Sequence, residues 1–183
     1  MAGAILWHRV DGPGHDACRL VQTDSGWQVE GAAVFQHCGR PAYLAYVAAC
    51  DTSWRALGGY VRGGIGDRAV EFGIARSSSG AWTIDGKELP DLRDCQDLDF
   101  GFTPSTNFLH LRRLALDIGQ RADVPAAWLD VSTGTLDVLV QRYERRSTTT
   151  YWYEAPRFNY AAMLEIDHAG FVVRYPDLWE SVP

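Results

Sequence analysis

Between Asp97 and Arg113 the chain gathers the carboxylates of Asp97 and Asp99, the hydroxyls of Thr103, Ser105 and Thr106, the amide of Asn107 and the guanidiniums of Arg112 and Arg113. Carboxylates, amides and hydroxyls hydrogen-bond hydroxylated heads such as sugars, and guanidiniums hold phosphate or carboxylate. Gly101-Phe102-Thr103-Pro104 with Asn107 close behind reads as an ordered turn, because Pro fixes φ while Thr and Asn bond the backbone locally. Asp99 sits between Leu98 and Phe100, so strand alternation points it inward, where a carboxylate needs a partner; Arg112 or Arg113 is expected to supply it. A rigid turn capped by its own side chains accounts for the same residues equally well.

A second polar set lies downstream, at Gln141, Tyr143 and Arg145 and at Thr149, Tyr151 and Tyr153. In a hairpin, Tyr151 and Tyr153 share one face and Trp152 takes the other. Tyrosines rim apolar pockets well because each offers a hydrophobic body and a hydroxyl tip. Ordinary cross-strand aromatic packing is the competing account. The ligand-binding candidates are therefore Asp99, Thr103, Thr106, Asn107, Arg112, Arg113, Gln141, Tyr143, Tyr151 and Tyr153.

Other chemistries find less support. His15-x-x-Cys18 and His37-Cys38 offer zinc-type ligands, but adjacent strand residues point to opposite faces, so no metal is expected. Asp91, Asp94, Asp97 and Asp99 lack the calcium-loop pattern, and a paired-carboxylate role on a sugar is possible in principle. The glycine cluster Gly58–Gly66 has neither the Lys-Ser/Thr ending of a P-loop nor a dinucleotide fingerprint, and a bulged hairpin explains it better. There is no Gly-x-Ser-x-Gly elbow. No cofactor is expected.

The elements that position these groups read as β-strands. Asp11-Gly12, Ser25-Gly26, Gly63-Gly64, Ser79-Gly80, Asp85-Gly86, Thr133-Gly134 and Ala169-Gly170 punctuate short β-branched and aromatic runs. Val70, Phe72 and Ile74 alternate with Glu71, Gly73 and Ala75; Leu136, Val138 and Val140 alternate with Asp137, Leu139 and Gln141. Trp27 to Phe35 and Tyr160 to Ile166 make similar stripes. Helix evidence is thin: Asn107 could cap a helix carrying Leu111, Leu114, Ala115 and Ile118, while Leu109, Leu111 and Arg113 alternate as a strand would; the resemblance given below, with a Pro usual near the start of this segment, slightly favours the strand. A last helical turn is expected over 177–182. These patterns predict one mainly β domain over residues 1–183, a strongly curved antiparallel sheet with few or no helices. Tyr43, Ala45, Val47 and Ala49 mix large with small residues, and such a face turned to the concave side would leave volume for a ligand.

Seven Trp, eight Tyr and a 46% hydrophobic content argue for a packed core. A net charge of −6 makes nucleic acid an unfavourable partner. No segment reaches the length of a membrane helix, and the N-terminus carries no secretory h-region. The four scattered cysteines are expected to be reduced and buried, and the protein cytoplasmic. The oligomeric state is not readable.

Asp-Leu-Asp-Phe-Gly-Phe-Thr-Pro-Ser-Thr-Asn from Asp97, followed by Leu109 and Leu111-Arg112-Arg113-Leu114, resembles the signature of a bacterial family labelled "putative glycolipid-binding". Ala127-Trp128-Leu129, Gln141-x-Tyr143-x-Arg145, Tyr151-x-Tyr153 and Tyr175-Pro176-x-Leu178-Trp179 extend the resemblance over most of the chain. His110 departs from it, since the family more usually carries Pro there. The resemblance implies a half-barrel like that of lipoprotein carriers, whose hollow takes an amphiphilic small molecule, a glycolipid or related lipid, without reaction. The acyl part would lie on aromatics, and the head would meet Asp99, Thr106, Asn107, Arg112 and Arg113. The alternative is an enzyme acting on a small carbohydrate or lipid-derived substrate at Asp99, Asn107 and Arg112.

Overall fold

The computed structural model describes residues 3–183. The first half is a meander of β1 (Ala4–Arg9), β2 (Gly14–Thr23), β3 (Gly26–His37), β4 (Arg40–Asp51), β5 (Ala56–Ile65), β6 (Arg68–Arg76), β7 (Trp82–Ile84) and β8 (Lys87–Leu89). Strand β9 (Asp97–Phe100) and helix α1 (Ser105–Leu114) follow. The second meander comprises β10 (Arg121–Asp130), β11 (Thr135–Arg145), β12 (Thr150–Ala155), β13 (Tyr160–Ile166), β14 (Val172–Tyr175) and β15 (Trp179–Ser181).

All fifteen strands belong to one open sheet, ordered β8-β7-β6-β5-β4-β3-β2-β1-β15-β14-β13-β12-β11-β10-β9. Every pairing is antiparallel except β9 with β10. The first and last strands, β1 and β15, pair in the middle of the sheet, where Trp7 stands opposite Ser181. The turn chemistry is local: Asp85-Gly86 and Cys38-Gly39 both hold two successive positive φ values (49° and 79°, 48° and 77°), the conformation of a two-residue hairpin. Cys38 therefore stands exposed at a hairpin tip, contrary to the expectation of four buried thiols; Cys18, Cys50 and Cys95 are buried.

A curved sheet has a concave apolar face that must be covered, and here β9 and α1 cover it. Phe100 and Phe102 pack edge-on against Tyr46, and Phe102 stacks on Phe35 of β3. Phe108 stacks on Phe171 at 4.5 Å and meets Trp54 edge-on. Trp54 reaches Phe108 from the β4–β5 turn with φ 65°, a conformation bulky residues avoid. Asp51 enforces it by accepting bonds from the Ser53 and Arg55 amides at 2.8 and 2.9 Å. One further close approach is needed between β3 and β4: a Cβ at Gly31 would fall 2.2 Å from the Tyr46 hydroxyl, so only glycine admits that ring.

The architecture is the expected open, curved, mainly β sheet, with four local corrections. First, 105–114 is helical, not extended. Its first two turns are buried on every side, from Ser105 to Leu111, so the sequence lacks the one-sided stripe that announces a helix. Asn107 lies inside this helix and Pro104 occupies the position before it. Second, 177–182 contains strand β15 rather than a helical turn, because pairing with β1 and β14 organises it. Third, the inner face of β4 carries Ala42, Leu44, Tyr46, Ala48 and Cys50, while Tyr43 is 62% exposed on the convex side. Fourth, β11 turns Leu139, Gln141 and Tyr143 inward and leaves Val138 and Val140 in solvent.

Phe108 is fully buried at the contact that joins the helix to both meanders. Phe108→Ala is expected to lower the unfolding free energy by about 3–5 kcal/mol in a denaturant titration. A loss below about 1 kcal/mol would show that the helix does not tie the sheet together.

Candidate ligand-binding site

Helix α1 lies in the trough of the sheet and leaves a bay at each end. The bay at its N-terminal end is a cleft of about 410 Å³, within the range of ~300–1,000 Å³ usual for small-molecule sites. Seven aromatic residues line it: Phe100, Trp128, Tyr153, Phe158, Tyr160, Tyr175 and Trp179. Trp128 rests directly on Gly101, where a Cβ would come within 2.5 Å of the indole nitrogen. Phe158 meets Trp128 edge-on, and the Arg157 guanidinium lies over the same indole at 4.8 Å. Tyr153 packs against Tyr143, Tyr160 and Tyr175, so four strands, β11 to β14, share one aromatic wall.

Polar groups converge where the cleft meets β9 and α1. Asp99 accepts hydrogen bonds from the Thr106 hydroxyl (2.8 Å) and from the Gln141 amide nitrogen. The Gln141 carbonyl oxygen accepts from the Tyr143 hydroxyl at 2.7 Å, and that hydroxyl accepts from Asn107 Nδ2 at 2.7 Å. Burial, and secondarily the neighbouring Tyr153 and Asp99, hold the Tyr143 phenol well above its usual range, so it stays neutral and can both donate and accept. His110 bridges beneath: Nε2 lies 3.1 Å from the Leu98 carbonyl, which can only accept, and Nδ1 lies 3.3 Å from the Tyr143 oxygen. Asn107 uses Nδ2 on Tyr143 and keeps Oδ1 without a protein partner among the described residues, although it is only 4% exposed and lines the cleft.

The candidates named from sequence fall into three groups. Asp99, Thr103, Asn107 and Tyr153 line the cleft. Thr106, Gln141 and Tyr143 form the network behind it. Arg112 and Tyr151 line the other bay, and Arg113 lines neither. The expected Asp99–Arg pair is therefore not formed. Arg113 instead grips Asp97, with Nε 2.8 Å from Oδ1 and Nη2 2.6 Å from Oδ2. In a strand–turn–helix hairpin, the strand residue nearer the turn meets the first helical turn and the farther one meets the last. Asp99 thus meets Thr106, and Asp97 meets Arg113.

Sequence reasoning missed Trp128, Tyr175 and Trp179 as site residues, although all three stood in the motifs quoted above. It also missed Asp16 on β2. Asp16 is fully buried and accepts from the Tyr46 hydroxyl (3.0 and 2.9 Å) and from Thr103. It thereby anchors the cleft-lining turn to the first meander. Desolvation raises its pKa from 3.8 to about 6, against the opposing effect of the Thr103 and Tyr46 hydrogen bonds. Among the described residues no three His, Cys, Asp or Glu side chains gather as a metal site, and no helix is long and apolar enough to cross a membrane.

Fold and cleft together define a curved-sheet protein with an aromatic cleft. The chain belongs to the family described as "Putative glycolipid-binding", whose profile matches residues 4–181. A DUF1089 family protein from Pseudomonas aeruginosa, solved by crystallography, is similar to it with a TM-score of 0.81 and 26% identity over 92% of each chain. No curated protein matches it.

A carboxyl with a raised folded-state pKa stabilises the fold fully below its unfolded value of 3.8, and loses that contribution as pH climbs through about 6. Between pH 5 and pH 8 the wild type should therefore lose about 1 kcal/mol relative to Asp16→Asn, read as unfolding free energies of both proteins at both pH values. An unchanged difference would mean that Asp16 does not titrate in this range.

Proposed function

We propose that this protein binds one small amphiphile in the aromatic cleft and does not alter it chemically. The apolar part lies against Trp128, Phe158, Leu178 and Trp179, and the head reaches Asp99 and Asn107. One observation carries this: a cleft walled by aromatics has a floor of hydrogen-bond acceptors and no basic side chain in its lining. Acceptors without a cation favour a head that donates hydrogen bonds and carries no negative charge. A hydroxylated, glycosyl-like head fits that requirement, and a phosphate or carboxylate head does not. The family description supports the same class of ligand. The arginines at the rim, Arg157 over Trp128 and Arg9 over Trp179, are already paired with Asp137 and Asp11. Asp99 is the only carboxyl in the lining, whereas glycoside hydrolysis ordinarily uses two. That favours binding over turnover.

The test is tryptophan fluorescence with octyl glucoside below its micellar concentration. Saturable binding is expected, together with a loss of about tenfold or more in affinity, or about 1.4 kcal/mol, in Trp128→Ala. Octyl phosphate should not displace the glucoside. Equal binding by Trp128→Ala, or displacement by octyl phosphate at the same concentration, would remove the proposal; release of glucose would make the protein an enzyme.

A further inference from the structure

The bay at the C-terminal end of α1, about 450 Å³, has a different chemistry from the cleft. Its lining includes Arg112, Arg145 and His168, with the hydroxyls of Thr148, Thr149 and Tyr151. Among the described residues neither guanidinium has a carboxylate within ion-pair distance, whereas Arg113 and Arg142 nearby in sequence are both paired. Each is held rigid by other means. Arg112 packs over Trp54 and Phe108 and donates one bond to the Ala169 carbonyl. Arg145 packs over Tyr151 and donates to the carbonyls of Leu116 (2.7 Å) and Ser147 (3.2 Å). A guanidinium has five N–H donors, so both retain donors beyond those bonds. Both guanidiniums line the bay beside Tyr151, and burial holds that phenol above its usual range against the opposing fields of Arg145 and Arg112.

The opposing charges are few. Asp167 lines the same bay, but its Oδ1 accepts from the amides of Gly170 (2.7 Å) and Phe171 (2.9 Å). The carbonyl end of α1 also contributes negative potential, and Arg145 caps the Leu116 carbonyl just beyond it. Fixed guanidiniums lose little side-chain freedom when an anion arrives, and each can meet a phosphate or carboxylate with more than one bond.

We propose that this second bay is an anion site, for a phosphate group, formed by Arg112 and Arg145 with the hydroxyls of Thr149 and Tyr151. It is independent of the aromatic cleft and takes the opposite charge class. A phosphate group reaches such a site from either of two sources, a free, water-soluble compound or a lipid head, and two probes separate them. Inorganic phosphate and dihexanoyl phosphatidate below its micellar concentration are titrated into the protein while the amide signals of Thr149 and His168 are followed by NMR. Both should shift saturably; equal affinities identify a free phosphate compound as the ligand, and tighter binding of the phosphatidate identifies a lipid head. Arg112→Gln should weaken binding by about tenfold or more, Arg112→Lys less, because the charge is kept while the fork is lost. Thr149→Val, an exposed position, provides a milder variant should Arg112→Gln fail to fold. Trp128→Ala should leave phosphate binding unchanged, so loss of the amphiphile cleft and loss of this site are told apart. Absence of a saturable shift with either probe, or unchanged affinity in both Arg112→Gln and Thr149→Val, would overturn the proposal.

Discussion

An open sheet that curls without closing exposes one long concave face, and the way that face is covered governs the rest of this molecule. The sheet ends at β8 on one edge and at β9 on the other, yet these strands follow each other in sequence. The connection must therefore cross the trough. The apolar residues of β9 and of the turn and helix that follow it, Phe100, Phe102 and Phe108, land on rings from both meanders, and Leu98 and Phe100 come to rest against Gly59 of β5. Covering the concave face and linking the two halves are one structural event. A helix fits because it satisfies its own backbone groups where no further strand could pair.

Filling a trough with so polar a segment brings carboxylates, amides and a histidine out of water. Among the described residues every side-chain nitrogen and oxygen fully shut off from solvent finds a partner, and Asn107 Oδ1, without one, opens on the cleft. The partners are divided by position: Asp97 to Arg113, Asp99 to Thr106 and Gln141, Asp16 to Tyr46 and Thr103. Such networks add little net stability over apolar packing, since desolvation offsets most of the attraction. They do penalise misplacement, because a helix shifted by one turn would strand several buried polar groups at once. The network behind Asp99 and Asn107 thus fixes where the cleft's acceptors stand.

What was legible in the sequence was local. Asp85-Gly86 and the alternation of Val70, Phe72 and Ile74 announce hairpin and strand within a few residues, and both are found. Which face of β4 or β11 turns inward was not legible, because both faces carry apolar residues and the curl of the whole sheet decides. Gln141 shows the limit most clearly: a polar residue on the inner face, paired to an aspartate that arrives from a different element. Asp99, Asn107 and Tyr153 could be picked out because their neighbours concentrate polar chemistry. Trp128, Tyr175 and Trp179 come from three separate strands, and only the sheet order brings them to one wall. Asp16, between His15 and Ala17, looks like any outward strand residue until Tyr46 is seen to reach it.

The helix that plugs the trough also sorts its chemistry. At its N-terminal end the nearby side chains are Asp99, Thr103 and Asn107, with aromatic rings beyond; at its C-terminal end they are Arg112 and Arg145. The arrangement runs with the helix dipole at both ends: cations stand at the C-terminal end, and the Asp99 carboxylate stands near the N-terminal end, whose first turn carries no acidic residue of its own. Arg112 and Asn107 sit five residues apart on one ten-residue helix, so a head group cannot engage both without passing through the buried turn that separates them. One packed helix keeps the two proposed sites apart, and the expectation of a single head group touching Asp99 and Arg112 together does not fit that spacing.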